Sequence, residues 1–181
     1  IRKFKIIIKH IAIVLLLVSG LFASAQDFTK LSNKVPVNKD VKIGKLKNGM
    51  TYYIQHNKKP ENKVELRLVV NAGSILETDK QRGLAHFMEH MNFNGTKNFQ
   101  HTEFVDYLQS IGVKFGQHLN AYTSFDETVY ILPIHSDDSD KLERGLDILE
   151  EWAFNNLLTP EEIEKERGVV LEELRLGLGA D

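Results

Sequence analysis

The stretch "QRGLAHFMEHMNF", residues 81–93, reads as a helix and constrains this chain more than any other. At about 100° per residue, Leu84, Phe87, Met88 and Met91 form one stripe of a helix. His86, Glu89, His90 and Phe93 form another, roughly on the opposite side. An apolar stripe needs a layer to cover it, so this helix is expected to lie against a core with its polar face turned away. Residues four apart share a face, so both imidazoles can point at one ion, with Glu89 beside them. A solvated surface carrying His and Glu fits the same string.

The elements around it suggest a mixed architecture. "VKIGKLKNGMTYYIQHN" reads as a β-hairpin with Asn48-Gly49 at its turn. "KVELRLVVNAG" reads as a half-buried strand, and "FGQHLNAYTSFDETVYILPIH" as two strands joined near Ser124-Phe125-Asp126. "TEFVDYLQSIG" is helical, with Phe104, Leu108 and Ile111 on one stripe and Gly112 as stop. "DKLERGLDILEEWAF" carries Leu142, Leu146, Leu149 and Trp152 along one side. The last helix opens on Thr159-Pro160-Glu161-Glu162, a capping box with proline at the first helical position. The expected fold class is α+β, with helices packed on a largely antiparallel sheet.

The first 25 residues stand apart. A basic start (Arg2, Lys3, Lys5, Lys9), an apolar run from Ile11 to Val18, and Ala23-Ser24-Ala25 follow the layout of a secretory signal peptide cut before Gln26. The alternative is a membrane anchor, for which the unbroken run is short. Residues 26–40 read as a polar leader and residues 41–181 as one catalytic domain, truncated at its C-terminus. Removing four of the 23 basic residues leaves 19 against 25 acidic ones, a net charge of −6. Such a chain is a poor candidate for nucleic acid. It has no cysteine, which excludes disulfides and a thiol nucleophile. Any metal must be held by histidine and carboxylate. Both ends read as cut, from Ile1 to "LGLGAD", so a longer parent is expected.

A catalytic zinc takes three protein ligands and leaves a fourth position open. The last helix offers the third: "EKERGVVLEE" places Glu166 and Glu173 seven apart on one face, with Val170 between them. Glu172 points about 100° away, toward solvent. An exposed face of an E/K-rich helix is the plain reading of this segment on its own.

Together the two helices resemble something specific. H-x-x-E-H, followed some eighty residues on by "ERGVVLEEL", is similar to the pitrilysin/insulin-degrading-enzyme family of zinc metallopeptidases. "NGMTYYI", "VELRLVVNAGSILE", "RGLAHFMEHMNFNGTKNF", "LQSIGVKFG", "LNAYTSFDETVYIL" and "TPEEIEKERGVVLEELR" carry the likeness over nearly everything after Val41. It implies the N-terminal peptidase domain, incomplete, of a multi-domain, chamber-forming enzyme exported to the periplasm or cell envelope of a bacterium. His86, His90 and Glu173 would hold one Zn²⁺ per chain, Glu89 would be the general base, and Glu166 an accessory acid. Zinc acidifies water and polarises a peptide carbonyl, and Glu89 would pass the proton to the leaving amine. Cobalt or manganese could stand in for zinc at such donors. The strand "NAYT" would pair with substrate backbone through Asn120, Ala121 and Tyr122, with Phe93 lining a side-chain pocket. Partners would be a peptide or unfolded protein and the later domains or a partner subunit, with no membrane span after signal cleavage. Two rival readings are a non-catalytic peptide-binding or structural subunit of the same family, and an unrelated secreted binding domain. His56, His101, His118 and His135 lack ligand spacing, and Gly73, Gly83 and Gly95 suit turns or close packing.

Overall fold

The computed structural model describes residues 36–99, 101–110 and 120–178. The expected signal peptide, most of the leader, Ile111, Gly112 and His118 lie outside the described residues. The chain divides into two compact units, one ending at His56 and the other starting at Asn57.

In the first unit, β1 (Val41–Lys45) pairs antiparallel with β2 (Thr51–Gln55), with Ile43 opposite Tyr53. The Gly49 N–H bonds the Leu46 carbonyl at 2.9 Å and the Leu46 N–H bonds the Met50 carbonyl at 2.8 Å. Gly49 has φ +94°, which glycine adopts without a Cβ penalty. This is a turn followed by a one-residue glycine bulge, which explains why Asn48-Gly49 marks the hairpin.

In the second unit, β3 (Lys63–Val70), β4 (Asn120–Thr123) and β5 (Thr128–His135) form an antiparallel sheet in the order β3-β5-β4. Register puts Leu66 opposite Leu132, Leu68 opposite Tyr130, and Tyr130 opposite Ala121. Since side chains alternate along a strand, these residues share one face. Thr123 and Thr128 continue that face at its end. The helices α1 (Leu84–Met91), α2 (His101–Ser110), α3 (Ser139–Phe154) and α4 (Pro160–Leu178) complete the unit. Leu68, Tyr130, Leu132 and Ile134 of the sheet bury with Leu108 of α2, with Ile148 and Trp152 of α3, and with Phe99. Thr159 caps α4, its hydroxyl accepting the Glu162 N–H at 3.3 Å.

One expected stripe is rotated. Leu146 is exposed, and the buried line of α3 runs through Gly145, Ile148, Glu151 and Trp152, with Leu142 and Leu149 half-buried beside it. The reason is proximity. A Cβ added at Gly145 would stand 2.8 Å from Leu66 Cδ1 and 3.0 Å from Ile134 Cδ1. At Gly145 the helix lies too close to the sheet for a side chain.

Buried Glu151 anchors the loop after α1. It accepts from Asn98 N at 3.2 Å, Asn98 Nδ2 at 2.7 Å and Asn155 Nδ2 at 2.8 Å. Burial by itself raises its pKa, but hydrogen bonds from Thr96, Asn98 and Asn155 outweigh that, leaving it below the ordinary carboxylate value. A carboxylate with a depressed folded pKa stabilises the fold above its unfolded pKa, and that contribution is lost as pH falls through the folded value. Glu151→Gln is therefore expected to unfold at lower denaturant at pH 7 and to show a shallower loss of stability below about pH 4. Urea titrations across that range check it.

Candidate metal centre

The placement of α1 starts seven residues before it. Glu77 reaches forward, and its two carboxylate oxygens accept the N–H groups of Gly83 at 2.8 Å and Ala85 at 2.7 Å. A helix leaves its first N–H groups without partners, and an anion there also meets the positive end of the helix dipole. Gly83 enters the helix at φ +87°, a left-handed conformation that a side chain would strain. Upstream, Ser74 N and Ile75 N bond the carbonyls of Ser124 and Phe125 at 3.1 and 2.8 Å. Gly73 permits that approach, because a Cβ there would collide with the Ser124 carbonyl. The start of α1 is thus fixed to the β4–β5 turn.

Its far end is fixed to α3. Trp152 Nε1 donates to the Asn92 carbonyl at 3.0 Å, and Lys97 N bonds the Asn155 carbonyl at 2.8 Å. Phe93 packs edge-on to Trp152, 5.6 Å between ring centroids, and tilted to Tyr130 at 6.1 Å.

Between these anchors the two imidazoles face α4. His86 Nε2 and His90 Nε2 are 3.2 Å apart. Glu173 brings one carboxylate oxygen to 3.6 Å from His86 Nε2 and the other to 3.2 Å from His90 Nε2. Behind them, His90 Nδ1 lies 2.8 Å from Glu166 Oε1, and Asn94 Nδ2 donates to Glu166 Oε2 at 2.6 Å. Glu166 is buried, so both oxygens need donors, and both donors come from α1 or the residues just after it.

That arrangement assigns protons. An ionised carboxylate only accepts, so the His90 ring proton belongs on Nδ1 and the Nε2 lone pair faces the front. His86 Nε2, His90 Nε2 and the Glu173 carboxylate converge, and a cation bound among them would satisfy all three with the His86 ring proton also on Nδ1. Atoms bound about 2.1 Å from a tetrahedral ion lie about 3.4 Å apart, close to the spacings seen. The donor set fits a divalent ion of the zinc type.

Glu89, between the two histidines in sequence, faces the sheet. Its Oε2 accepts the Thr123 hydroxyl at 2.6 Å. Tyr130, nearby, is pushed up to about 12 by burial, with Asn92 opposing and the charge of Glu89 adding to the rise, so it stays neutral at physiological pH.

The structure brings His86, His90 and Glu173 together, with Glu166 behind His90 and Glu89 against Thr123 of the sheet, and Glu172 turns away to pair with Arg175 at 2.6 Å. Asn120, Ala121 and Tyr122 lie on β4, an edge of the sheet among the described residues. Phe93 is half-buried rather than standing clear. His56 and His135 are exposed. Sequence reasoning missed Glu77, Asn94 and Thr123. Glu77 and Thr123 act across turns or between strand and helix, where no periodicity signals them.

With this geometry in view, comparison with known proteins is informative. The profile of the insulinase family (peptidase family M16) matches residues 52–176. The chain belongs to this family. It is 39% identical over 167 residues to the "Probable zinc protease PqqL" of Haemophilus influenzae, covering 92% of this chain and 18% of that protein. The first half of the periplasmic protease PqqL from Escherichia coli superposes with a TM-score of 0.76 at 37% identity, over 80% of this chain and 31% of that one. Pitrilysin gives 0.63 at 27% identity, over 80% and 15%. The chain therefore spans less than a fifth of the length of its M16 relative from Haemophilus influenzae. Relatives named zinc proteases imply zinc, and the His-His-Glu cluster is a group that could hold such an ion.

The anchoring of α1 is open to test. Glu77→Ala leaves two helix N–H groups without their acceptor and is expected to cost about 1–2 kcal/mol. Urea unfolding measures the loss, and hydrogen exchange should quicken at Gly83 and Ala85.

Proposed function

We propose that this chain is the zinc-holding part of a metalloendopeptidase that hydrolyses peptides or unfolded polypeptides. The observation that carries the reading is the convergence of His86, His90 and Glu173 with a carboxylate, Glu89, on the same helix. Zinc held there would supply Lewis acidity, acidifying water and polarising the scissile carbonyl. Glu89 takes the proton of the attacking water and returns it to the leaving amine. Glu166 holds the His90 ring through Nδ1, and Asn94 holds Glu166, an outer pair that fixes the ring's orientation. The edge that β4 forms among the described residues lays the peptide backbone alongside through Asn120, Ala121 and Tyr122, and the open side of Phe93 borders a substrate side chain. A complete set of ligands and base favours catalysis over a binding-only subunit. Residues 1–25 direct export, residues 26–40 form a leader, and the site works in the periplasm or cell envelope. Among the described residues no helix is long and apolar enough to cross a membrane. Later domains of the parent chain or a partner subunit complete the substrate chamber.

Metal content comes first. Elemental analysis after dialysis should give about one zinc per chain, and Glu173→Gln should lose most of it. No zinc in either sample would sink the reading. Asn94→Leu, which leaves Glu166 with one donor, should weaken zinc about tenfold in a competitive chelator titration. Glu89→Gln should keep zinc while abolishing peptide hydrolysis by the full-length parent. The chain alone should bind zinc yet cleave poorly; full activity from it would show that no later domain is needed.

A further inference from the structure

The base itself is held from an unexpected side. Glu89 has its carboxylate tied not to the metal-facing helix but to the sheet, through Thr123 at the end of β4. Strand alternation puts Ala121 and Thr123 on the face that carries the core, and Tyr122 on the other, where its hydroxyl donates to Glu127 at 2.9 Å. The neighbouring threonine does not compete for the bond. Thr128 Oγ1 is 2.9 Å from the Ala72 carbonyl and 3.5 Å from Thr123 Oγ1, so its proton goes to the carbonyl. Thr123 is left to spend its single proton on Glu89 Oε2, at the short distance of a charge-assisted bond. A β-branched side chain on a paired strand has a stiff χ1, so the hydroxyl is a fixed post rather than a swinging one.

We propose that Thr123 is a positioning residue that anchors one oxygen of Glu89, leaving Oε1 to take the proton, and so sets the base in register with the strand that carries the peptide. This rests on the reading of Glu89 as the base. In that reading the backbone of Asn120, Ala121 and Tyr122 meets the peptide while the side chain of Thr123, next on the same strand, holds the carboxylate, so one strand fixes both distances that a productive attack needs. A misplacement of about 1 Å in such a group lowers turnover up to about a hundredfold.

The test compares Thr123→Val, nearly isosteric but without the hydroxyl, with Thr123→Ser, which keeps it, in the full-length parent. The expected result is a ten- to hundredfold fall in kcat for valine with KM and zinc content little changed, and recovery to within a few-fold for serine. An unchanged kcat in Thr123→Val overturns the proposal. So does an equal loss in both variants, which marks packing, or a rise in KM alone, which marks a contact to substrate. A second readout needs no turnover. In the metal-free chain, Thr123→Val and Glu89→Ala should shift the urea midpoint non-additively, and additivity overturns the tether. If Glu89→Gln retains hydrolysis, the base assignment fails, and this cycle alone then decides whether the tether exists.

Discussion

The bond between Glu166 and His90 is the interaction on which the rest of the centre depends. At 2.8 Å it joins α4 to α1, and Asn94 fills the second carboxylate oxygen at 2.6 Å. A buried carboxylate with only one donor would be costly, so the pair specifies a single docking of the two helices. Glu173 follows two turns later on the same face, and its position at the imidazoles is inherited from that docking. Remove the Glu166 contact and the third donor has no reason to be where it is.

The second constraint comes from the ends of α1. Eight residues make too short a helix to stand by propensity alone. Glu77 satisfies its first turn, the Gly73 contact pins that turn to the β4–β5 loop, and Trp152 and Asn155 grip the segment beyond. The ends of α1 are therefore held without its polar face, which is left to meet α4 through His90 and the strand end through Glu89. Met91, fully buried, shows the opposite face meeting the interior.

Much of this was legible in the sequence. Among the described residues, the three strands of the sheet, the hairpin at Asn48-Gly49 and the four α-helices follow from periodicity and turn chemistry. The H-x-x-E-H string and the seven-residue step between Glu166 and Glu173 put His86, His90 and the two carboxylates where α1 and α4 meet. What periodicity missed depended on distance between layers. The α3 stripe turned because Gly145 lets the helix sink onto Leu66 and Ile134, a separation no single-helix pattern encodes. Leu84 belongs to the apolar stripe of α1 yet is half exposed, since the helix starts there and its first turn overhangs. Asn94 and Thr123 are polar residues at a helix exit and a strand end, where the sequence makes them look like turn formers.

Both site carboxylates of α4 ride on one rigid rod, and this has a thermodynamic consequence. A cation among His86, His90 and Glu173 would be held only while α4 is docked, so occupancy and docking are linked equilibria. Each tenfold rise in free cation above its dissociation constant then shifts the docking equilibrium by about 1.4 kcal/mol toward the docked helix. The last helix becomes a gauge of the ion: scarcity of metal would be felt first as a loosening of α4, before the sheet registers anything at all.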